Sequence, residues 1–347
     1  FCTTDDATWY ISKAPESFLI PMRGIDLSHL SVTMQEQHFV RDLFLVYTGC
    51  QGENIRYVFS NDAVEWTVNP SGDESLRSRL YTEGGLQLAA LLIELQYYVS
   101  KITNDLSSGR IALSIAVMTR DFLKNEVLAT VRNLEMKMRK ENQMLSIFSV
   151  TSQMRPFLLI VKELVTVFSN IVKCGLVGGE ILSYLSKQVL FCVVPSTTDL
   201  LRRLESSGLR QYLHLVFSWT CYGSLLEDYY HEFMVWDLDR SGCFTKTQVL
   251  REDEFEEANY HGLEERFCVI SDLCPKQLKE VSKEIVNCGK YMRVVQKLEV
   301  DKDVFVDAFY DESILQKWDE KTFEDIEREI RKIHCRVSNL LVQHLKK

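Results

Sequence analysis

IALSIAVMTRDFLKNEVLATVRNLEMKMRK, residues 111–140, sets the fold class. Ile111, Ile115, Met118 and Phe122 recur at spacings of three and four. Val127, Val131, Leu134 and Met138 do the same after a slip of one residue. Such a stripe is one face of an α-helix. Ser107 or Ser108 stands where an N-cap belongs. The helix is expected to reach about residue 144, roughly 50 Å at 1.5 Å per residue. The slip after Phe122 reads as a helix drifting against its neighbour.

The flanking sequence continues the theme. LQLAALLIELQYYVSKI (86–102) is apolar around most of its circumference, which predicts a buried helix. HFVRDLFLVYTG (38–49) predicts a short amphipathic helix with Gly49 at its C-terminal cap. PFLLIVKELVTVFSNIVK (156–173) predicts a helix opening on Pro156, a tolerated first-turn position. Further helices are expected over 177–191, 209–222 and 275–298. The last helix carries a heptad seam of Phe323, Ile326, Ile330, Ile333, Val337 and Leu340. β-structure is sparse. IRYVF (55–59) and VEWTV (64–68) flank Asn61-Asp62 and predict a hairpin, and FMVW (233–236) a strand. Residues 1–37 read as an irregular segment with Pro15, Pro21 and Gly24 as breakers, and 238–265 as a polar loop. The fold class is therefore mainly α: elongated helical bundles with a small β-hairpin and one or two short strands.

Composition agrees. Only 15 Gly and 6 Pro occur in 347 residues, too few for a turn-rich sandwich or barrel. A net charge of −9 argues against a general nucleic-acid binder. The densest basic stretch, RNLEMKMRK (132–140), reads as a solvated helix face. Ten cysteines lie scattered with no CxxC, as reduced thiols of a cytosolic protein do. No apolar run reaches the length of a membrane span. The chain begins at Phe1 and ends with its last helix still in register, so it is expected to be a piece of a longer protein.

Two metal readings need weighing. Asp228 and His231 stand three apart, as helical ligands do, but Gly223 places them past the end of the preceding helix. DLDRSGCFTKTQ (237–248) matches a calcium loop at Asp237, Asp239, Ser241 and Gly242. Its twelfth position is Gln248, where a bidentate Glu belongs. A polar turn fits better, and a calcium-regulated helical adaptor stands as the alternative reading. There is no Walker loop, dinucleotide fingerprint or nucleophile elbow. His214 sits in an apolar helix and pairs with no evident nucleophile. No enzyme and no cofactor are expected.

Four blocks carry a resemblance. VRDLFLVYTGCQGENI (40–55) resembles V-R-D-L-L-Y-V-F-Q-G-x-x-G-K-x-I, the opening signature of the gamma-tubulin complex components. Arg41, Asp42, Gly49 and Gly52 fall in register, and Gln35-Glu36 sit where the family often has Q-E. GGEILSYL (178–185), with Gly178 and Gly179, is similar to the family's K-G-G-x-L-L-S-x-L. Trp219, Gly223, Asp228, Tyr230, Glu232 and Phe233 resemble its W-x-x-x-G-x-L-x-D-P-Y-x-E-F-F, one residue longer here and without the Pro. EIVNCGKYMRVV (284–295), with Gly289, Lys290 and Tyr291, resembles I-L-x-T-G-K-Y-L-N-V-L/V. With LEERFCVI (263–270), it leans toward the component 2 branch. The stretch between Pro70 and Gly84 is shorter than the family's, which leaves open whether a helix has been lost.

The resemblance implies the N-terminal Grip domain over 38–347, without the second half that binds gamma-tubulin. It implies a structural scaffold that packs laterally against neighbouring components, building a ring that templates microtubule nucleation. Implied partners are those components, gamma-tubulin through the full-length protein, and small adaptor proteins, with no nucleic acid and no membrane span. The implied place is the cytoplasm, at a microtubule-organising centre such as a centrosome or spindle pole. The lateral face is expected on helices 86–145. The resemblance also gives Gly223 a chain reversal, turns Phe233 and Val235 toward the core, and leaves Glu232 either wet or capping a neighbouring helix.

Overall fold

A computed structural model describes residues 26–60, 63–105, 107–140, 144–237, 266–297 and 323–345. They fall into two compact units. The first draws on Phe1–Leu106, Ala116–Gly175 and Cys192–Leu200; the second on Ser107–Ile115, Leu176–Phe191 and Leu201–Lys347.

The first unit opens with helix α1 (Val32–Tyr47). The helix starts earlier than the predicted residue 38 because Ser31 caps it, accepting the Met34 N–H at 3.4 Å. An antiparallel hairpin follows, β1 (Ile55–Ser60) against β2 (Ala63–Val68), with Tyr57 opposite Trp66. The stretch 70–84 does carry a helix, α2 (Glu74–Thr82), capped by the Asp73 carboxylate. Then comes α3 (Gly85–Asn104), the buried helix read from the sequence.

α4 (Arg110–Phe122) passes through one π turn (Leu123–Val127) into α5 (Leu128–Lys140). That turn is the physical form of the slip after Phe122. A π turn takes one residue more than an α turn, so it restores the apolar stripe to the same face. Phe122, Val127, Val131 and Leu134 are all buried. Gradual drift is thus replaced by a single local insertion. Residues 141–143 lie outside the described set.

α6 (Ile147–Cys174) corrects the helix predicted from Pro156. Ser146 caps it, and Ile147, Val150 and Met154 extend the buried stripe upstream, so Pro156 lies inside the helix. α3 packs along α6 as the centre of this unit.

The second unit contains α7 (Gly178–Phe191) and the greater part of α8 (Pro195–Tyr222), which runs 28 residues where only 209–222 was expected. Gly208 sits mid-helix, where Leu182, Ile111 and Ile115 leave almost no room for a side chain. Packing rather than helix propensity explains it. β3 (Val235–Asp237) pairs antiparallel with β4 (Phe267–Val269), so the predicted strand 233–236 begins two residues later and gains a partner. A 3₁₀ turn (Lys276–Val281) leads into α9 (Ser282–Lys297). α10 (Phe323–Leu345) lays its seam on α9, burying Ile326, Ile330, Ile333 and Val337. The segments 1–25, 238–265 and 298–322, including most of the calcium-loop candidate, lie outside the described residues.

Candidate functional site

The signature residues form two constellations, one in each unit. In the first, α1 turns its buried edge toward the hairpin. The Asp42 carboxylate accepts the backbone N–H of Ile55 at 3.0 Å and that of Asn54. Burial raises the Asp42 carboxyl, against the pull of these N–H groups. Gly52 lies against that carboxylate, where a Cβ would collide with it. Gly49 leaves α1 with φ +83° and its carbonyl accepts the Tyr57 hydroxyl at 2.6 Å. Gln35 donates to the carbonyls of Leu27 and Leu30 and accepts the Asp73 N–H at 2.8 Å. Glu36 accepts the Ile147 N–H at 3.0 Å and pairs with Arg79. Arg41 is exposed, as are Leu45, Cys50, Gln51 and Glu53 of the same block.

The second constellation is built on the turn after α8. Gly223 reverses the chain at φ +57°. Asp228 then accepts the N–H groups of Glu232 (2.8 Å) and Phe233 (3.2 Å), closing the loop that follows. Glu232 caps α4 by accepting from Arg110 and Ile111. Burial pushes its carboxyl up to about 7. Gly178 and Gly179 bring the start of α7 against the Glu232 backbone and the Leu273 carbonyl, approaches that any Cβ would block. Phe233 is buried against Tyr212, whose hydroxyl donates to Leu273 O at 2.9 Å and accepts from Met234 N. Tyr230 is exposed.

Around Trp219 the packing is denser still. Gly289 on α9 lies flat on the indole. Arg293, one turn on, sits 5.7 Å from the Trp219 ring and 4.7 Å from Phe267, and its Nε donates to Gly223 O at 2.7 Å. Arg266 grips Asp237 with two bonds of 2.7 and 2.9 Å. Lys290 and Tyr291 are half-buried, with Tyr291 packed against the cluster of Cys221, Cys288 and Val337. Sequence reasoning missed Tyr212, Arg266 and Arg293. Tyr212 falls in the helix expected over 209–222, Arg266 in 263–270 and Arg293 in 284–295, and nothing in their spacing marked them.

Metal chemistry finds no support in these groups. The Asp228 oxygens are held by two backbone N–H groups, and the His231 ring stacks on Trp236 at 4.7 Å. Asp237, first position of the calcium-loop candidate, is held by Arg266. No cluster of three metal-ligating side chains occurs among the described residues. The described cysteines are free thiols, and burial pushes Cys221 and Cys274 up to about 11 and Cys288 to about 12, which keeps them unreactive. No helix of the described residues is long and apolar enough to cross a membrane.

The second constellation thus uses buried acids, glycines and aromatics to fasten helices. The family model for the gamma tubulin complex component N-terminal region matches residues 40–347. The chain belongs to the gamma-tubulin complex component family. It is similar to gamma-tubulin complex component 2 of Mus musculus, 23% identical over 279 residues. That alignment covers 79% of this chain and 29% of the relative, so the chain spans less than a third of the relative's length. Asp42, Asp228, Glu232 and the glycines beside them fasten helices and turns within the matched region.

Proposed function

We propose that this chain is the N-terminal part of a scaffold subunit of a gamma-tubulin complex, working at a microtubule-organising centre of the cytoskeleton. The match over residues 40–347 carries the reading. In it, the domain pairs side by side with neighbouring components, and repetition of the contact forms a ring that presents gamma-tubulin as a template. Nucleation is slow because several subunits must lose their freedom before lateral contacts offset the loss, and a preassembled ring lowers that entropic barrier. Gamma-tubulin is held by the longer natural protein rather than by this segment, with small adaptor proteins as further partners. The lateral face lies on α3–α5, whose outer surface carries Arg120 and Lys124.

Affinity isolation of the natural full-length protein tests the reading. Co-purification of gamma-tubulin and other components in one large assembly supports it, and their absence removes it. Reversing the charges of Arg120 and Lys124 is expected to break lateral pairing while leaving gamma-tubulin binding intact.

A further inference from the structure

A cavity of about 280 Å³ lies between α3 and the π turn that joins α4 to α5. Its inner lining is Gln96 and Val99 of α3 and Leu123 of the π turn, all buried, with Leu128 beside them. Its mouth is charged, with Arg120, Asp121 and Lys124 exposed there. π turns within α-helices occur frequently at functional sites.

Gln96 distinguishes this cavity from an ordinary packing defect. Only 9% of the residue is exposed. Yet its amide makes no hydrogen bond among the described residues. The other buried glutamines of this unit are bonded. Gln35 donates to Leu27 O and Leu30 O, and Gln37 to Leu145 O at 2.9 Å. Gly49 makes room for Gln96, since a Cβ there would strike the amide oxygen. Folded proteins pair their buried polar groups with protein, water or a ligand. A buried amide without a protein partner, in a cavity with an apolar wall, suits a ligand that is apolar in its body and hydrogen-bonding at its inner end.

The mouth selects the other end of that ligand. Two cations stand there against one acid, and none of the three makes an ion pair among the described residues. The surplus charge is positive, so an anionic group is attracted and a cation is repelled. The volume falls just below the usual range for drug-sized ligands, which leaves space for one ring or branched chain.

We propose that this cavity binds a small organic acid: one aromatic ring, a neutral hydrogen-bonding group toward Gln96, and a carboxylate at the mouth on Arg120 and Lys124. Two sources carry this chemistry, a free acid and the C-terminal tyrosine of a partner chain. The site needs no ring and no neighbouring component, so it stands or falls apart from the lateral contact.

The test is titration of para-hydroxyphenylpropionate into this chain alone, followed by saturation-transfer NMR. Its neutral amide and the cation tyramine are the charge controls, and phenylpropionate is the control for Gln96. The hydroxylated acid should bind at least ~tenfold tighter than either charge control, about 1.4 kcal/mol. Lys124→Glu should weaken it by a similar factor, and Asp121→Asn should tighten it. Leu128→Trp, which fills the cavity, should abolish binding. Gln96→Leu should erase the preference for the hydroxylated acid over phenylpropionate. Lys187→Glu, a surface change on α7, should alter nothing. Thermal melting checks each fold. If the buried Gln96→Leu fails to fold, Lys124→Glu, at an exposed position, still decides. Three results overturn the proposal: no acid binds, the amide or tyramine binds as tightly as the acid, or affinity ignores both Lys124→Glu and Leu128→Trp. A tripeptide ending in tyrosine separates the sources. Binding by the free acid alone supports the site with a small molecule as its ligand. Binding by the tripeptide as well, lost on amidation of its carboxylate, supports it with a partner's C-terminus.

Discussion

Glu232 reaches across 121 positions of sequence to accept the N–H of Ile111 at 3.0 Å. Its other oxygen takes the N–H of Arg110 at 2.8 Å. The first N–H groups of a helix have no partner within it, and a carboxylate there also meets the positive end of the helix dipole. Asp228 holds Glu232 in turn through the Glu232 N–H. One acid fastens the turn, and the second fastens the helix to it.

Glu232→Ala is expected to lower stability by about 2 kcal/mol, since it strips acceptors from two N–H groups at a packed helix start. Glu232→Gln keeps one acceptor oxygen and should lose about half as much. Urea unfolding midpoints of the three proteins check the order. Equal midpoints would mean that the cap is incidental.

The same residue sets a pH dependence. Burial pushes the Glu232 carboxyl from an ordinary 4.5 up to about 7, against the two N–H groups that favour its charge. Between those values the unfolded chain has released the proton and the folded chain still holds it. Stability therefore falls as pH rises through this window, by at most ~1.4 kcal/mol per unit. Glu232→Gln lacks the proton. The stability of wild type relative to Glu232→Gln should decline from pH 4.5 to 7 and then level off. Asp42, raised by burial, and Asp73, lowered by its N-cap bonds, act equally in both proteins and cancel. A pH-independent difference would place the folded carboxyl at its ordinary value.

What was legible in the sequence was periodic. The stripe of α4 and α5, down to the extra residue after Phe122, follows from spacing alone. So do the hairpin and the buried character of α3. Boundaries failed where a local rule met a tertiary one. Pro156 reads as a helix start, yet Ser146 and the stripe of Ile147, Val150 and Met154 carry the helix through it. The helix expected from 209 begins at Pro195, and the close pack of Leu182 and Ile111 explains Gly208 inside it. The constellations were legible only as blocks. That Asp42 accepts from Asn54 and Ile55, or that Arg293 covers Trp219, depends on segments brought together by folding.

Gly289→Ala sets two rules against each other. Helix propensity favours Ala by about 1 kcal/mol. A Cβ at 289 would overlap the Trp219 indole, which is fully buried. Overpacking typically destabilises by about 1–3 kcal/mol. A net loss of up to about 2 kcal/mol is expected in thermal or urea unfolding. A gain would show that the indole can move aside.

Arg293→Lys keeps the charge and should still destabilise the second unit. The guanidinium lies over Phe267 at 4.7 Å while its Nε bonds to Gly223 O. An ammonium cannot stack as a plane and donate sideways at once. The loss is expected at about 1–2 kcal/mol, readable as a lower urea midpoint. Hydrogen exchange at the backbone that follows Gly223 should quicken as well. If Lys matches Arg in both, charge alone suffices there.

Pro156 sits in the tenth position of α6, exposed, with the carbonyl of Ser152 denied its usual donor. A proline inside a helix costs about 3 kcal/mol relative to a good helix former. Part of that is offset because proline also restricts the unfolded chain, by about 0.4–1 kcal/mol. Pro156→Ala is therefore expected to raise stability by about 2–2.6 kcal/mol, seen as a higher melting temperature. The opposite result would be equally informative. The next residue, Phe157, meets Phe122 edge-on at 6.4 Å, at the entry to the π turn. A stabilising proline would mean that the backbone it fixes at residue 156 sets this ring contact beside the π turn.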